Sequence, residues 1–348
     1  MIGLTFPHYL LAWYDAGHRD LPWRRTRDPY RIWLSEIMLQ QTRVEAVIPY
    51  YTRFLQTCPD IAALAAADEQ VYLKLWEGLG YYSRVRNLHK AARMICDTYG
   101  GVMPADHTAL LSLPGIGDYT AGAIASIAFD IPEPAVDGNV LRVVARVTGD
   151  ERSIDDAKVR KDMRAQVAAI LPQDRPGAFN QAMMELGATV CIPNGAPRCG
   201  DCPVAHLCQA FHEESWPRLP VRTPKKARTV VLRTILLPRW QGMIGLRRRP
   251  DTGLLARMWE LPAYEEALAP DALRQKLAAD GWQVEKLLSL RPAKHIFTHI
   301  EWHMTGYYVE LSERVESLTW VTPDELRGAY ALPSAFRAFL SVIEEASA

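Results

Sequence analysis

Leu113-Pro-Gly-Ile-Gly117, followed by Tyr119-Thr-Ala-Gly122 and then Val136-Asp-Gly-Asn139, is the stretch on which the reading of this chain turns. Pro114, Gly115 and Gly117 spell a tight hairpin, because proline presets the bend and glycine tolerates backbone angles closed to other residues. Thr120 to Phe129 then reads as a helix rich in Ala and Ile. A glycine hairpin that opens a helix presents bare backbone N–H groups, and these suit a phosphate. Asp137, twenty residues beyond Gly117, is the candidate for chemistry on whatever that phosphate carries. The pattern points to nucleic acid and to a reaction on it.

Bulk properties narrow the setting. At 348 residues the chain is long for one core, so two domains are expected. Lys+Arg and Asp+Glu are both 40, which gives no support to a generic basic nucleic-acid binder. Up to Pro220 there are 22 basic and 25 acidic residues, and beyond it 18 and 15. Any grip on DNA in the first part therefore uses backbone N–H groups and a few placed arginines. Neither a basic leader with a long apolar run nor a membrane-spanning apolar stretch is visible, so a cytoplasmic protein, away from membranes, is expected. In that compartment thiols stay reduced.

Residues 1–215 read as mostly helical. The segment Ile32 to Leu55 carries apolar residues near helical spacing, and Val71 to Leu79, Asn87 to Tyr99, Asn139 to Val147 and Lys158 to Leu171 add further helices. Asp106 and Asp155 are read as caps. Residues 216–227, with Trp216-Pro-Arg-Leu-Pro220 and Thr223-Pro-Lys-Lys226, read as a proline-bearing basic linker. Residues 228–348 change texture. Thr229 to Leu237 and Met304 to Leu311 are β-rich, with helices near Asp271 to Ala279 and Pro333 to Ile343, an α+β domain.

Cys191, Cys199, Cys202 and Cys208 fall within eighteen residues, separated by seven, two and five others. Four thiols this close in a reducing compartment suit a metal centre. Sulfur-only ligation allows zinc or an iron–sulfur cluster, and the spacing is not that of a zinc ribbon. Pro193, Pro197 and Pro203 make the segment a loop tied by metal, with a structural or a redox role. Cys58 and Cys96 read as small buried hydrophobes.

Together the hairpin Leu113–Gly117, Asp137 and the cysteine loop resemble the helix-hairpin-helix DNA glycosylases that carry an iron–sulfur cluster. Within them the chain is similar over nearly its full length to the adenine DNA glycosylase family. Leu21-Pro-Trp-Arg24, Ser35-Glu-Ile-Met-Leu-Gln-Gln-Thr42, Gly78-Leu-Gly-Tyr-Tyr-Ser-Arg84, Glu133-Pro-Ala-Val-Asp-Gly-Asn-Val140 and Phe179-Asn-Gln-Ala-Met-Met184 carry the likeness. Trp259-Glu-Leu-Pro262 and Phe297-Thr-His299 extend it into the second part. Two departures stand out: the first cysteine gap is seven where the family has six, and Thr298 replaces the family's serine.

The resemblance implies a helix-hairpin-helix catalytic region with a 4Fe-4S cluster on Cys191, Cys199, Cys202 and Cys208, and a Nudix-like lesion-recognition domain. It implies a monomer acting on double-stranded DNA that contains adenine opposite 8-oxoguanine or guanine. Breaking an N-glycosidic bond needs an acid near the base and an anion near the sugar. Glu36, among Trp33, Leu34, Ile37, Met38 and Leu39, suits a raised pKa and a proton for the adenine N7. Asp137, at a helix start, suits the ionised form and the oxocarbenium ion. Read without the resemblance, Asp137 is an ordinary helix cap.

Further roles come from the same resemblance. Tyr119 stands where endonuclease III-like glycosylase/lyases carry a Schiff-base lysine, so little strand cleavage is expected. Asn139 is placed to orient Asp137 or a water. Trp23, Arg24, Leu39, Gln181 and Met184 match the adenine pocket, with the Gln181 amide suited to pair bidentately with an adenine edge. Gln41 and Tyr81 match the wedge residues beside the partner base, although Tyr81 also reads as core, and Thr42 matches a further DNA-binding position. Leu113, Gly115 and Gly117 match the phosphate-binding hairpin. Phe297, Thr298 and His299 match the 8-oxoguanine reader. The Nudix-like part lacks the glutamate-rich box of a hydrolase. The rival readings are a pyrimidine-lesion glycosylase/lyase and a DNA-binding redox sensor.

Overall fold

The computed structural model describes residues 2–224 and 226–340, which fall into two compact units. The first draws on residues 2–66 and 83–224, the second on 67–82 and 226–340. The first is helical and the second carries a mixed sheet.

At the centre of the first unit lies the helix Asp118–Phe129. Every residue from Thr120 to Ile127 is buried, as its nearly all-round apolar sequence requires. Helices Pro29–Leu39 and Pro176–Thr189 pack against it. A β-carbon on Gly177 would come within 2.6 Å of the Ser126 carbonyl oxygen, so glycine permits this close approach. The short helix His107–Ser112 is capped by Asp106, as its sequence predicts: the carboxylate accepts from the Ala109 N–H at 2.7 Å. The hairpin then turns through Gly115, whose φ of +79° lies in the left-handed region. Helix Asp118–Phe129 begins with Gly117 as its N-cap and no side-chain cap, so its first-turn N–H groups are not taken by a capping side chain.

Five expectations are corrected. The segment from Ile32 to Leu55 is two helices, Pro29–Leu39 and Val44–Thr57. The break comes from a distant residue: Arg84 Nη1 donates to the carbonyls of Ile37, Met38 and Gln40 at 2.8, 3.2 and 2.6 Å. The chain then turns through Gln41 at φ +58°. The cap of helix Ala157–Ala169 is Asp156, whose carboxylate accepts from Lys158 and Val159, while Asp155 binds the Thr223 N–H and pairs with Arg160 and Arg222.

Residues 216–224 are strapped to the first unit rather than free. Leu219 is buried, its carbonyl accepts from Arg146 Nε at 2.9 Å, and the Val221 carbonyl accepts from the Ile154 N–H. Lys225 lies outside the described residues. Finally, residues 67–82 group with the sheet, not with the helices on either side of them in sequence. The predicted helix Val71 to Leu79 is Glu69–Leu75, followed by turns at Gly78 and Gly80. Lys74 Nζ donates to the Leu326 and Tyr330 carbonyls, and Glu77 accepts from the Leu332 N–H at 2.7 Å.

In the second unit the strands run in the order Trp259–Glu260, Met243–Arg248, Thr229–Trp240, Ile300–Leu311, Val284–Ile296. Thr229–Trp240 and Ile300–Leu311 are parallel, and the other pairs are antiparallel. The helix Pro270–Ala279 packs on Val284–Ile296. The expected helix from Pro333 becomes the single 3-10 turn Ser334–Phe336 and then helix to residue 340; Ser341 to Ile343 lie outside the described residues. No helix among the described residues is long and apolar enough to cross a membrane.

Candidate active site

A cleft of about 850 Å³ in the helical unit gathers eleven of the predicted residues: Trp23, Arg24, Glu36, Leu39, Gln41, Thr42, Tyr119, Asp137, Asn139, Gln181 and Met184. They come from five places in the chain. Packing around the helix Asp118–Phe129 brings them together.

Glu36 sits on the helix Pro29–Leu39, and only 5% of it is exposed. Tyr119 donates its hydroxyl hydrogen bond to Glu36 Oε2 and lies 3.1 Å from Met184 Sδ. Burial pushes the Glu36 carboxyl up to about 7, against the lowering pull of the Tyr119 hydroxyl; the nearby Asp137 charge adds to the rise. Burial also holds the Tyr119 phenol well above its usual range, with the Glu36 and Asp137 charges adding to it.

Asp137 is the N-cap of helix Gly138–Thr148. Its Oδ1 accepts from the Asn139 and Val140 N–H groups at 2.9 and 2.8 Å, and Oδ2 accepts from Asn139 Nδ2 at 2.8 Å. Asp137 thus caps a helix and also lines the cleft. The expectation of opposed pKa shifts is corrected. Burial raises the Asp137 pKa too, with the hydrogen bonds from Val140 and Asn139 pulling the other way. What separates the two acids is their donors: three N–H groups hold the Asp137 carboxylate, and one hydroxyl meets Glu36.

Asn139 is itself held. Arg142 Nη2 donates to Asn139 Oδ1 and to the Gly187 carbonyl, both at 2.8 Å, and its Nε donates to the Cys191 carbonyl at 2.8 Å. The loop of the first cysteine is thereby tied through two side chains to Asp137. Gly187 makes the close packing possible, since a β-carbon there would lie 2.7 Å from that of Asn139.

Sequence reading missed Glu185 and Arg19. Glu185 is buried in the helix Pro176–Thr189 and accepts from Arg19 Nε at 2.8 Å and from Arg24 Nη2 at 2.7 Å. Burial pulls its carboxyl up, but the Arg19 and Arg24 hydrogen bonds outweigh it and hold the group down at about 2. The signal was a glutamate directly after the pocket residue Met184, in the largely buried run Phe179–Gly187. The role expected of Gln181 is narrowed, because Tyr14 donates to its Oε1 at 3.3 Å and one half of the amide is engaged. Trp23 lines the cleft and also anchors the fold, edge-on to Tyr51.

Other predicted residues lie elsewhere. Leu113 is buried, so its side chain anchors the hairpin and leaves only backbone to the surface. Asn87 packs against Gly115, where a β-carbon would lie 2.7 Å from it. Tyr81 belongs to the second unit and is 47% exposed at φ +48°, which overturns its reading as core. There its hydroxyl lies 3.1 Å from Thr298 Oγ1. The loop Phe297-Thr-His299 joins the strands Val284–Ile296 and Ile300–Leu311.

Cys191, Cys199, Cys202 and Cys208 line one pocket in the helical unit, and all four are free thiols. No three or more His, Cys, Asp or Glu side chains among the described residues converge on a single metal-ion position; the sulfurs stand around a space. Arg146 Nη1 lies 3.3 Å from Cys191 Sγ. The Val204 N–H points at Cys202, and those of Ala210 and Phe211 point at Cys208. Burial pushes the Cys202 thiol up to about 12. A thiolate there needs positive charge beside it, which a metal centre supplies. The donor set fits a thiolate-ligated cluster. The longer first gap is absorbed in a loop that turns at Gly195, with φ +77°, and closes where the Arg198 N–H meets the Val190 carbonyl at 3.0 Å.

The model of the HhH-GPD superfamily of base excision DNA repair proteins matches residues 34–169, and that of the NUDIX domain matches residues 234–342. The adenine DNA glycosylase of Rattus norvegicus is 36% identical over 98% of this chain and 78% of its own length. The chain belongs to the adenine DNA glycosylase family. The Homo sapiens member is 36% identical over 96% of this chain and 74% of its own. Membership makes the chain a DNA glycosylase, a base-excision repair enzyme that binds DNA and hydrolyses N-glycosyl bonds.

Solved structures agree on the fold. A thermostable thymine-DNA glycosylase matches with a TM-score of 0.54 at 28% identity, covering 60% of this chain and 96% of that one. A trapped endonuclease III–DNA covalent intermediate matches at 0.52 and 25%, covering 62% of this chain and all of the other.

Proposed function

We propose that this glycosylase excises adenine mispaired with 8-oxoguanine or guanine, without cutting the strand. The observation that carries the reading is that Glu36 and Asp137, one acid with a single donor and one carboxylate with three, line the same cleft. The adenine nucleotide leaves the helix to enter that cleft, at a cost of a few kcal/mol. Glu36 gives its proton to N7 of the base. The bond from C1′ to N9 then breaks, and its electron pair stays on the base, which departs neutral. Asp137 faces the oxocarbenium ion as an anion and stabilises it directly or as a transient sugar adduct. Water adds to C1′, and its proton returns to a carboxylate.

The remaining residues shape the encounter. Trp23, Leu39 and Met184 wall the base, and the Gln181 amide, with the Arg24–Glu185 pair, offers its polar edge a partner. Asn139 orients Asp137. Tyr119 carries no amine, so no imine with the sugar forms at that position. Gln41 and Tyr81 act as the wedge beside the partner base, Thr42 contacts the DNA, and the first-turn N–H groups after Gly117 take a phosphate. Phe297, Thr298 and His299 read 8-oxoguanine, with Tyr81 hydrogen-bonded to Thr298. The four cysteines hold a 4Fe-4S cluster that fixes the loop behind Asn139. The enzyme acts as a monomer in the cytoplasm.

The test is base release from an adenine:8-oxoguanine duplex, read by alkaline cleavage of the abasic product. Glu36→Gln and Asp137→Asn each abolish release and keep DNA binding. Normal turnover by either variant refutes its role, and strand scission before alkali refutes the absence of lyase chemistry.

A further inference from the structure

The second unit holds an unusual concentration of buried charge behind the loop Phe297-Thr-His299. Glu260, 1% exposed, accepts from Arg247 Nη2 at 2.8 Å and from Arg249 Nη1 at 2.5 Å. A third arginine, Arg233, is 2% exposed and stands 3.9 Å from the same carboxylate, beyond hydrogen-bond reach. No hydrogen bond among the described residues reaches its Nε. Arg247 reaches solvent, with 44% of its side chain exposed, but Arg233 is buried, its ion pair with Glu260 is long, and a buried cation held so loosely is costly. The compensation is aromatic: the Arg233 guanidinium lies 4.1 Å from the centroid of the Trp302 ring. Arg249 approaches the same ring at 5.7 Å.

Trp302 passes this constraint on. Its ring meets Phe297 edge-on, with centroids 4.8 Å apart and planes at 68°. Phe297 is further held by His295 at 4.6 Å, by Arg228 Nε on its carbonyl, and by the Ile300 carbonyl accepting from its N–H. An indole pinned between a cation and Phe297 has one favourable orientation, and the loop inherits it.

We propose that Arg233 and Trp302 are positioning residues that hold the Phe297–His299 loop and so set how strongly the enzyme prefers 8-oxoguanine over guanine as the partner base. Neither residue touches the DNA. The inference rests on the loop's assignment as the 8-oxoguanine reader.

The experiment measures single-turnover adenine release by the full chain from adenine:8-oxoguanine and adenine:guanine duplexes. Arg233→Met removes the charge at similar length, and Trp302→Phe keeps an aromatic body but withdraws the indole face. Each is expected to lower the ratio of the two rates by roughly fivefold or more, mainly through slower release opposite 8-oxoguanine. Phe297→Ala lowers it as well, and the Arg233→Met/Phe297→Ala double variant is no worse than Phe297→Ala alone, because both act through one loop. Thermal melting identifies any variant that fails to fold, and the other then carries the test. A ratio that falls with Phe297→Ala but not with Arg233→Met and Trp302→Phe, or effects that simply add, overturns the proposal. An unchanged ratio in Phe297→Ala overturns the assignment of the loop as reader, and the proposal with it.

Discussion

The cleft of the helical unit and the charge cluster of the sheet unit are opposites. The cleft brings together the carboxyls of Glu36 and Asp137, with Glu185 holding Arg19 and Arg24 of its wall, and each has a different set of partners. The cluster concentrates guanidinium groups around the buried carboxylate of Glu260. A carboxyl raised to about 7, as that of Glu36 is, can exchange its proton near neutral pH. Arginines stay charged at every relevant pH and can only attract and orient. The first arrangement suits bond breaking and the second suits recognition, which matches the absence of a glutamate-rich hydrolase box in the second unit.

The sharpest way to break that contrast is to remove charge from the cleft. Asp137→Asn keeps the shape of the cap but loses the anion, and single-turnover base release is expected to fall by about a thousandfold or more. A fall below tenfold would place the essential anion elsewhere. Glu185→Gln leaves Arg19 and Arg24 without their buried partner. We expect a loss of about 2–4 kcal/mol in a denaturant melt together with slower base release; an unchanged midpoint would contradict the pairing.

Arg142→Gln cuts the link between the Cys191 carbonyl and Asn139, and base release is expected to drop by about tenfold while the folded fraction by circular dichroism is kept. Full activity would show that Asp137 needs no support from behind. A further effect is a stability difference that depends on pH. Glu36 has a folded pKa of about 7 against an ordinary 4.5, so its burial costs stability as pH rises through that window. Glu36→Gln should therefore gain on the wild type between pH 5 and pH 8, by up to about 3 kcal/mol, in melts at the two pH values. An equal difference at both would mean that Glu36 is solvated.

Local signals were legible in the sequence and remote ones were not. The hairpin at Gly115, the Asp106 cap and the acid set between Trp33 and Leu39 depend on neighbours in the chain, and each is where its sequence places it. The break after Leu39 depends on Arg84, which caps carbonyls more than forty residues away, and nothing between Gln40 and Arg43 announces it. Asp155 and Asp156 are adjacent, and only the helix geometry chooses between them. The strand Val284–Ile296 gave no alternating pattern because two register shifts, after Val284 and after Leu290, interrupt it. Residues 67–82 group with a unit whose other residues begin more than 140 residues later, and Lys74 and Glu77 bond to Leu326, Tyr330 and Leu332. At the site, residue identities were legible but pairings were not. Glu185 with Arg19 and Arg24, and Gln181 with Tyr14, join residues about 160 apart in sequence.

The central claim is that a neutral Glu36 supplies the proton that releases the base. The most direct measurement is the pH dependence of single-turnover adenine release from an adenine:8-oxoguanine duplex between pH 5 and pH 9. With the Glu36 carboxyl at about 7, the rate is predicted to hold on the acid side and to fall tenfold per unit well above pH 7. A rate that stays level, or climbs, through that range would contradict it.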